Sequence, residues 1–212
     1  MNARMGLREL KKERTRETIA ETAIRLFLAK GFDQVSVTEV AATAEVSRRT
    51  LFTYFPTKED LVLQRFADHE SEAARIVRAR TDGQDPLEAL RDALLTALEQ
   101  RDPNTGMNDN PETRAFFQMI LDTESLAARL TRYASRGVDA LAEALQEAGA
   151  DPLAARLTAA QVLAVQRELA VMNHTSLMDG SSAEDRHHEA VRAAERAFDL
   201  LRFGTAAGRR MC

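Results

Sequence analysis

Apolar residues recur at helical spacing along most of this chain. Ile19, Ala23, Leu26 and Phe27 fall at i, i+4, i+7 and i+8, one face of an amphipathic helix over about residues 10–30. Val37, Val40, Ala41 and Ala44 supply the buried face of a short second helix, and Leu51 and Phe55 that of a third over about 48–55. The same periodicity predicts helices over 58–80, 86–101, 111–121, 123–147, 152–178 and 184–203, with residues 102–110 a polar loop and 204–212 a frayed tail. No β-branched run alternates as a half-buried strand would. The fold class is all-α.

Polar residues punctuate this pattern where helices should start. Ser36 stands three positions before Glu39, a capping box, with Val35 and Val40 placed as its hydrophobic staple. A tight turn at Glu45-Val46 leads to Ser47, the N-cap of the third helix, and Thr57 caps the fourth. Asp85-Pro86, Asn110-Pro111 and Asp151-Pro152 each put an Asx oxygen at an N-cap and a proline at the first helical position, where its missing N–H has no helical partner to lose. Gly31, Gly149 and Gly180 follow periodic stretches, as helix-ending residues do.

Charge changes the picture. The net charge of −4 is unevenly spread. Residues 1–58 hold 11 Lys/Arg against 7 Asp/Glu, a balance of +4, whereas residues 59–212 hold 18 against 26, a balance of −8. A basic head on an acidic body suits a polyanionic partner. Within that head, two short helices joined by a tight turn make a helix-turn-helix. With Leu51 and Phe55 turned inward, Arg48, Arg49, Thr50, Thr53 and Tyr54 occupy the outer face. A guanidinium can hold guanine O6 and N7 with two hydrogen bonds in the major groove, and hydroxyl or ammonium groups suit phosphate oxygens. Lys58 opens the next helix, where N–H groups and the dipole already favour a phosphate.

Other classes are disfavoured. No apolar run approaches the roughly 18 residues that span a bilayer, so no membrane partner is expected. Residues 1–16 are polar and basic, unlike a secretory signal. The single cysteine, Cys212, permits no intramolecular disulfide. These features point to the cytoplasm. There is no Gly-rich phosphate loop, nucleophile elbow or paired catalytic motif, and adjacent His187 and His188 point about 100° apart on a helix and cannot chelate one ion together. No catalytic residue, metal or cofactor is expected, and the chain does not read as an enzyme.

The ordered motifs Ala23-Ile24-Arg25-Leu26-Phe27, Lys30-Gly31-Phe32, Thr38-Glu39-Val40-Ala41 and the run from Val46-Ser47-Arg48-Arg49-Thr50-Leu51-Phe52-Thr53-Tyr54-Phe55 to Pro56-Thr57-Lys58-Glu59-Asp60-Leu61 resemble the TetR family of bacterial transcriptional regulators. The likeness covers about residues 12–65. It implies a three-helix DNA-binding head over 1–58 and a helical effector-binding and dimerisation body over 59–212. The function implied is transcriptional repression, with a homodimer binding a palindromic double-stranded DNA operator until a small-molecule effector releases it. Carried over by position, Arg48, Arg49, Thr50 and Thr53 would face bases or nearby phosphates. Tyr54 and Lys58 would meet phosphates, and Thr38 the backbone, with Ser36 and Ser47 as the flanking caps and Thr15 and Arg16 adding phosphate contacts. Two residues depart from the family pattern: Glu45 stands where glycine is usual in the turn, and Phe52 where tyrosine is common.

The body reads as double-sided. Leu153, Leu157, Ala160, Ala164 and Leu169 form one stripe, widened by Val162, Val165 and Met172, and Ala190, Val191, Ala194, Ala197, Phe198 and Leu201 form another. Broad apolar coverage implies burial on more than one side, and the family precedent is a dimer bundle of two helices per subunit. The middle helices offer Leu90, Leu94, Leu98, Phe116, Phe117, Ile120, Leu121, Leu130 and Tyr133 as candidate pocket walls. Arg129, Gln166, Arg167, Asn173 and His174 are polar positions on otherwise apolar stretches, and Met172 lies beside them. Residues 116–145 resemble the C-terminal domain of the branch that includes regulators of mycofactocin clusters, which implies an apolar or acyl-like effector such as an acyl thioester. The competing reading is a helical regulator controlled by a protein partner.

Overall fold

The computed structural model describes residues 6–207, and for residues 7, 8, 65–68 and 204–207 the helical backbone alone. Cys212 lies outside the described residues. Among those described, the chain forms α1 (Leu7–Lys30), α2 (Val37–Thr43), α3 (Arg48–Tyr54), α4 (Asp60–His69), α5 (Glu72–Ala79), α6 (Pro86–Glu99), α7 (Pro111–Asp122), α8 (Glu124–Glu147), α9 (Pro152–Met178) and α10 (Ala183–Ala207), with a 3-10 turn at Pro103–Thr105 and no strand. The residues divide into two compact units, one up to residue 68 together with 118–130, the other comprising 69–117 and 131 onward.

In the first unit, Ile19, Ala23 and Phe27 of α1 are buried with Val35, Val40, Ala41, Leu51, Phe55 and Leu61. Leu26, Val37 and Ala44, expected on the same buried faces, are half-buried. Ser36 Oγ accepts from Glu39 N at 3.1 Å, one arm of the expected capping box. The other arm is replaced: the Glu39 carboxylate accepts from Lys30 Nζ at 2.5 Å. A charged donor from the end of α1 gives a stronger bond than a neutral main-chain N–H. A reciprocal box forms instead ahead of α4. Thr57 N and Oγ1 donate to Asp60 Oδ2 at 3.0 and 2.8 Å, and Asp60 N donates back to Thr57 Oγ1 at 3.3 Å.

The helix expected over 58–80 is two helices, α4 and α5, parted at Glu70-Ser71. Ser71 takes a non-helical backbone conformation and its carbonyl accepts from Arg75 N at 2.9 Å, so α5 has its own start. The Glu70 carbonyl packs against α8 at Gly137, where an added Cβ would lie 3.2 Å from it.

In the second unit, the three Asx-Pro starts form as expected. Asp85 Oδ1 accepts from Leu87 N and Glu88 N at 2.9 and 3.2 Å, Asn110 Oδ1 from Glu112 N and Thr113 N at 2.9 and 3.1 Å, and Asp151 Oδ1 from Leu153 N and Ala154 N at 3.1 and 3.2 Å. One core cluster joins Val77, Leu90, Leu141, Ala155, Ala159, Val162 and Phe198. A second joins Leu98, Met107, Leu177, Ala190 and Ala194. Residues 204–207, expected to belong to the frayed tail, continue α10.

Residues 102–110 form the expected polar loop, with Pro103, Asn104, Asp109 and Asn110 exposed, but its middle is anchored. Thr105, Gly106 and Met107 are buried. Asp102 Oδ1 accepts from Asn104 N at 2.8 Å, and Asn173 Nδ2 of α9 donates to the carbonyl of buried Thr105 at 2.9 Å. The Asp109 carboxylate accepts from Ala183 N at 3.1 Å, at the start of α10. Gly106 adopts φ +73°, and a Cβ there would lie 2.0 Å from the Ala170 carbonyl oxygen. Only glycine brings the turn this close to α9.

The stripe expected to bury α9 on a second side is largely uncovered. Leu153, Leu157 and Met172 are 68%, 53% and 60% exposed, and Ala160 and Ala164 are exposed with them. The covered face carries Ala155, Ala159, Val162, Ala170, His174 and Leu177 instead.

Candidate functional site

The turn between α2 and α3 is closed by the main chain: Ala44 N donates to Val40 O at 2.9 Å, Glu45 N to Ala42 O at 3.2 Å and Val46 N to Ala41 O at 2.9 Å. This geometry holds Glu45 at φ 55°, in the left-handed region that the usual glycine would occupy without strain. The side chain is exposed. Because a side chain in this region costs on the order of 1 kcal/mol, partly offset by the greater freedom that glycine gives the unfolded chain, Glu45→Gly is expected to stabilise the head by about 0.5 kcal/mol. Thermal denaturation would show this as a small rise in Tm, and a fall would contradict the strain assigned to this turn.

Ser47 Oγ then accepts from Thr50 N at 3.0 Å and caps α3. Leu51 and Phe55 are buried, which turns the opposite face outward. Arg48, Arg49 and Thr53 are exposed, and Thr50 and Tyr54 are half-buried. The Arg48 guanidinium carbon stands 5.9 Å from the Phe52 ring centroid. Thr53 Oγ1 donates to the Arg49 carbonyl at 2.9 Å, and the Thr50 and Ser47 hydroxyls share a bond of 2.7 Å. A threonine hydroxyl that gives its proton to the main chain keeps only acceptor capacity. In this rotamer Thr53 suits a base amino group better than a phosphate.

The surrounding residues expected to meet DNA take varied positions. Ser36 and Thr38 are exposed at the start of α2. Thr15 Oγ1 donates to the Lys11 carbonyl at 2.9 Å. Arg16 lies 3.6 Å from Glu13, with its guanidinium 6.0 Å from the Phe55 ring. Lys58 sits in the turn ahead of α4, not on the helix. Its Nζ donates to the Phe32 carbonyl at 2.5 Å and lies 4.3 and 5.5 Å from the Phe32 and Phe27 ring centroids. One of its three N–H donors is therefore used inside the head, and the aromatic faces attract its charge.

Arg129, expected in the effector pocket, belongs to the first unit. Its Nε and Nη2 donate to Asp60 Oδ1 at 2.8 and 2.6 Å, while Asp60 Oδ2 receives the Thr57 bonds. A carboxylate 10% exposed is thereby matched to a guanidinium 26% exposed, just beyond the helix-turn-helix. This tie fixes the start of α4 to the N-terminal part of α8.

Residues 19–64 match the family of bacterial regulatory proteins described as the tetR family. That segment is similar to the TetR family of regulators. Over 128 residues it is 30% identical to the transcriptional regulator TcmR of Streptomyces glaucescens, covering 60% of this chain and 57% of that protein. Over 120 residues it is 38% identical to a Mycobacterium tuberculosis protein named as the mycofactocin biosynthesis regulator MftR, covering 55% of this chain and 57% of that one. These matches span less than two thirds of either relative's length. A crystal structure of Thermus thermophilus FadR, titled as a TetR-family repressor in complex with lauroyl-CoA, shares the fold at a TM-score of 0.51 and 22% identity, covering 90% of this chain and 94% of that one.

The remaining residues expected to meet an effector take varied positions. Phe116, Ile120 and Tyr133 are buried as core, and the Arg136 guanidinium lies 4.8 Å from the Tyr133 ring centroid. Phe117 and the buried His174 are ring neighbours at 5.6 Å. Arg167 is exposed and pairs with Glu168 at 3.0 Å, and Met172 is exposed. These two face away from the core because the covered face of α9 is the one through Ala170 and His174.

A cleft of about 210 Å³ opens elsewhere in the second unit, between the start of α5, α6, the 3-10 turn and α9. Leu94 lines it, as expected, together with Leu90 and Gln166, whereas Asn173 borders a small adjoining recess. His69, Glu70, Glu72 and Asp102 also line it and escaped the sequence reading. His69, Glu70 and Glu72 lay hidden in a continuous helical pattern, and the one signal was Ser71, a potential N-cap inside it.

Proposed function

We propose that this chain is a sequence-specific DNA-binding transcriptional repressor that acts as a homodimer and is released from DNA by a small effector held in its body. The observation that carries the reading is the capped α3, which presents Arg48 and Arg49 to solvent while Leu51 and Phe55 anchor it. A helix in this arrangement fits the major groove, and paired arginines suit guanine edges. The relatives TcmR and MftR carry the names of transcriptional regulators.

The dimer reading rests on the uncovered stripe of α9. Leu153, Leu157 and Met172 are large apolar side chains on one exposed helix, and a second copy would remove them from water. A two-fold dimer reads two half-sites about 34 Å apart. Leu157→Glu is therefore expected to yield a folded monomer by light scattering, with weakened operator binding; an unchanged dimer would remove α9 from the interface. The DNA reading is tested by selecting bound duplexes from a random library with the full chain. Enrichment of a palindrome with half-sites one helical turn apart is expected, and no enrichment would overturn it. An effector that binds better to another arrangement of the dimer would shift the population off DNA by its differential affinity.

A further inference from the structure

The cleft between α5, α6, α9 and the Pro103–Thr105 turn has a defined chemistry. Its walls are apolar, with Ile76, Leu90, Leu94 and Leu163 among them. Its polar lining sets the carboxylates of Glu70, Glu72 and Asp102 beside His69, Asn104, Thr105 and Gln166. Among the described residues no lysine or arginine lines it. Glu72 Oε2 lies 2.6 Å from His69 Nδ1, and Asp102 Oδ1 accepts from Asn104 N.

Glu70 differs from the other two. Its side chain is 19% exposed, and Oε1 is buried without a hydrogen-bond partner among the described residues. Arg136 Nε forms an ion pair with that oxygen at 3.4 Å, outside hydrogen-bond geometry and with its own side chain 60% exposed. Burial pushes the Glu70 carboxyl above its usual range, and the Arg136 charge pulls it partly back. The position is set by the fold: the backbone of Glu70 is seated against Gly137 of α8 at the break between α4 and α5. An under-solvated carboxylate in an apolar cleft gains most from a positive charge brought within reach.

We propose that this cleft binds an amphipathic organic cation, with the apolar part against Ile76, Leu90, Leu94 and Leu163 and the charged group at Glu70 and Glu72. The assignment rests on the effector reading above and gives that site its ligand class. It departs from the acyl-like effector that the family resemblance implies, because an anionic head would face three carboxylates. Loss of one buried acceptor for a cation costs more than loss of a solvated one, so Glu70 should dominate over Glu72.

The test uses isothermal titration calorimetry on the full chain without DNA. The probes are 4-phenylbutyltrimethylammonium and 5-phenylpentanoate, similar in apolar part and opposite in charge. The cation is expected to bind at least tenfold more tightly than the anion. Glu70→Gln should weaken the cation about tenfold and leave the anion no weaker, and Glu72→Gln should weaken the cation by a smaller factor. Circular dichroism melting checks that each variant is folded, and Glu72→Gln, on an exposed side chain, provides the test should Glu70→Gln fail to fold. Equal or tighter anion binding, no cation binding, or a cation affinity unchanged in both folded variants would overturn the assignment. DNA release is read separately: cation binding that leaves the operator complex intact keeps the ligand class and rejects the effector reading.

Discussion

Gly106→Ala is expected to destabilise the protein by about 3 kcal/mol, the sum of overpacking and a side chain forced into a left-handed backbone. Gly106 lies at φ +73°, and the new methyl carbon would sit 2.0 Å from the Ala170 carbonyl oxygen, an atom of the α9 backbone that cannot swing aside. The turn must lift. Lifting it strains the Asn173 bond to the Thr105 carbonyl and withdraws buried Met107 from its cluster with Leu98 and Leu177. Urea denaturation of the full chain measures the effect. A loss below about 1 kcal/mol would show that the 102–107 segment moves freely and is not part of the core.

Arg129→Met is expected to cost about 3 kcal/mol, near the lower end for breaking a buried ion pair by removing one partner. The methionine fills similar space, so the loss is electrostatic. Asp60 keeps its two bonds from Thr57, but its Oδ1 loses both guanidinium donors. Arg129→Lys retains a charge without the fork and should fall between methionine and wild type. Denaturant melts of the three proteins give this order directly. Equal stability of the Met variant and wild type would mean that water replaces the arginine without penalty. Because Asp60 begins α4 immediately after the helix-turn-helix, the Met variant should also bind DNA more weakly at temperatures where it remains folded.

The head was legible because its signals are local. Ser36, Ser47 and Thr57 cap helices that begin one residue or a few residues after them, and Leu51 and Phe55 set which face of α3 looks outward. The Asx-Pro pairs marked three body helices for the same reason: cap and helix start are adjacent in sequence. What sequence could not convey was long-range pairing. Arg129 looked like a polar intruder in an apolar stretch, yet its partner Asp60 lies 69 positions away. Lys58 looked like a helix-opening cation, yet the Phe32 carbonyl and two aromatic rings draw it inward. Residues 102–110 read as a polar loop and are one, but nothing local shows that Asn173, far along the chain, holds the buried Thr105 carbonyl. The cleft was missed for a related reason: Glu70 and Asp102 are distant in sequence and line one cleft only in the folded chain.

In the proposed repressor, α3 reads DNA sequence through Arg48. Fluorescence anisotropy with the selected operator and a scrambled duplex, at one fixed salt concentration, tests it most directly for wild type and Arg48→Ala. Wild type is expected to prefer the operator clearly. The variant should lose about 1–3 kcal/mol on the operator, roughly 5- to 150-fold, with a much smaller change on the scrambled duplex. Equal wild-type affinity for the two duplexes, or an Arg48→Ala loss of the same size on both, would contradict the account.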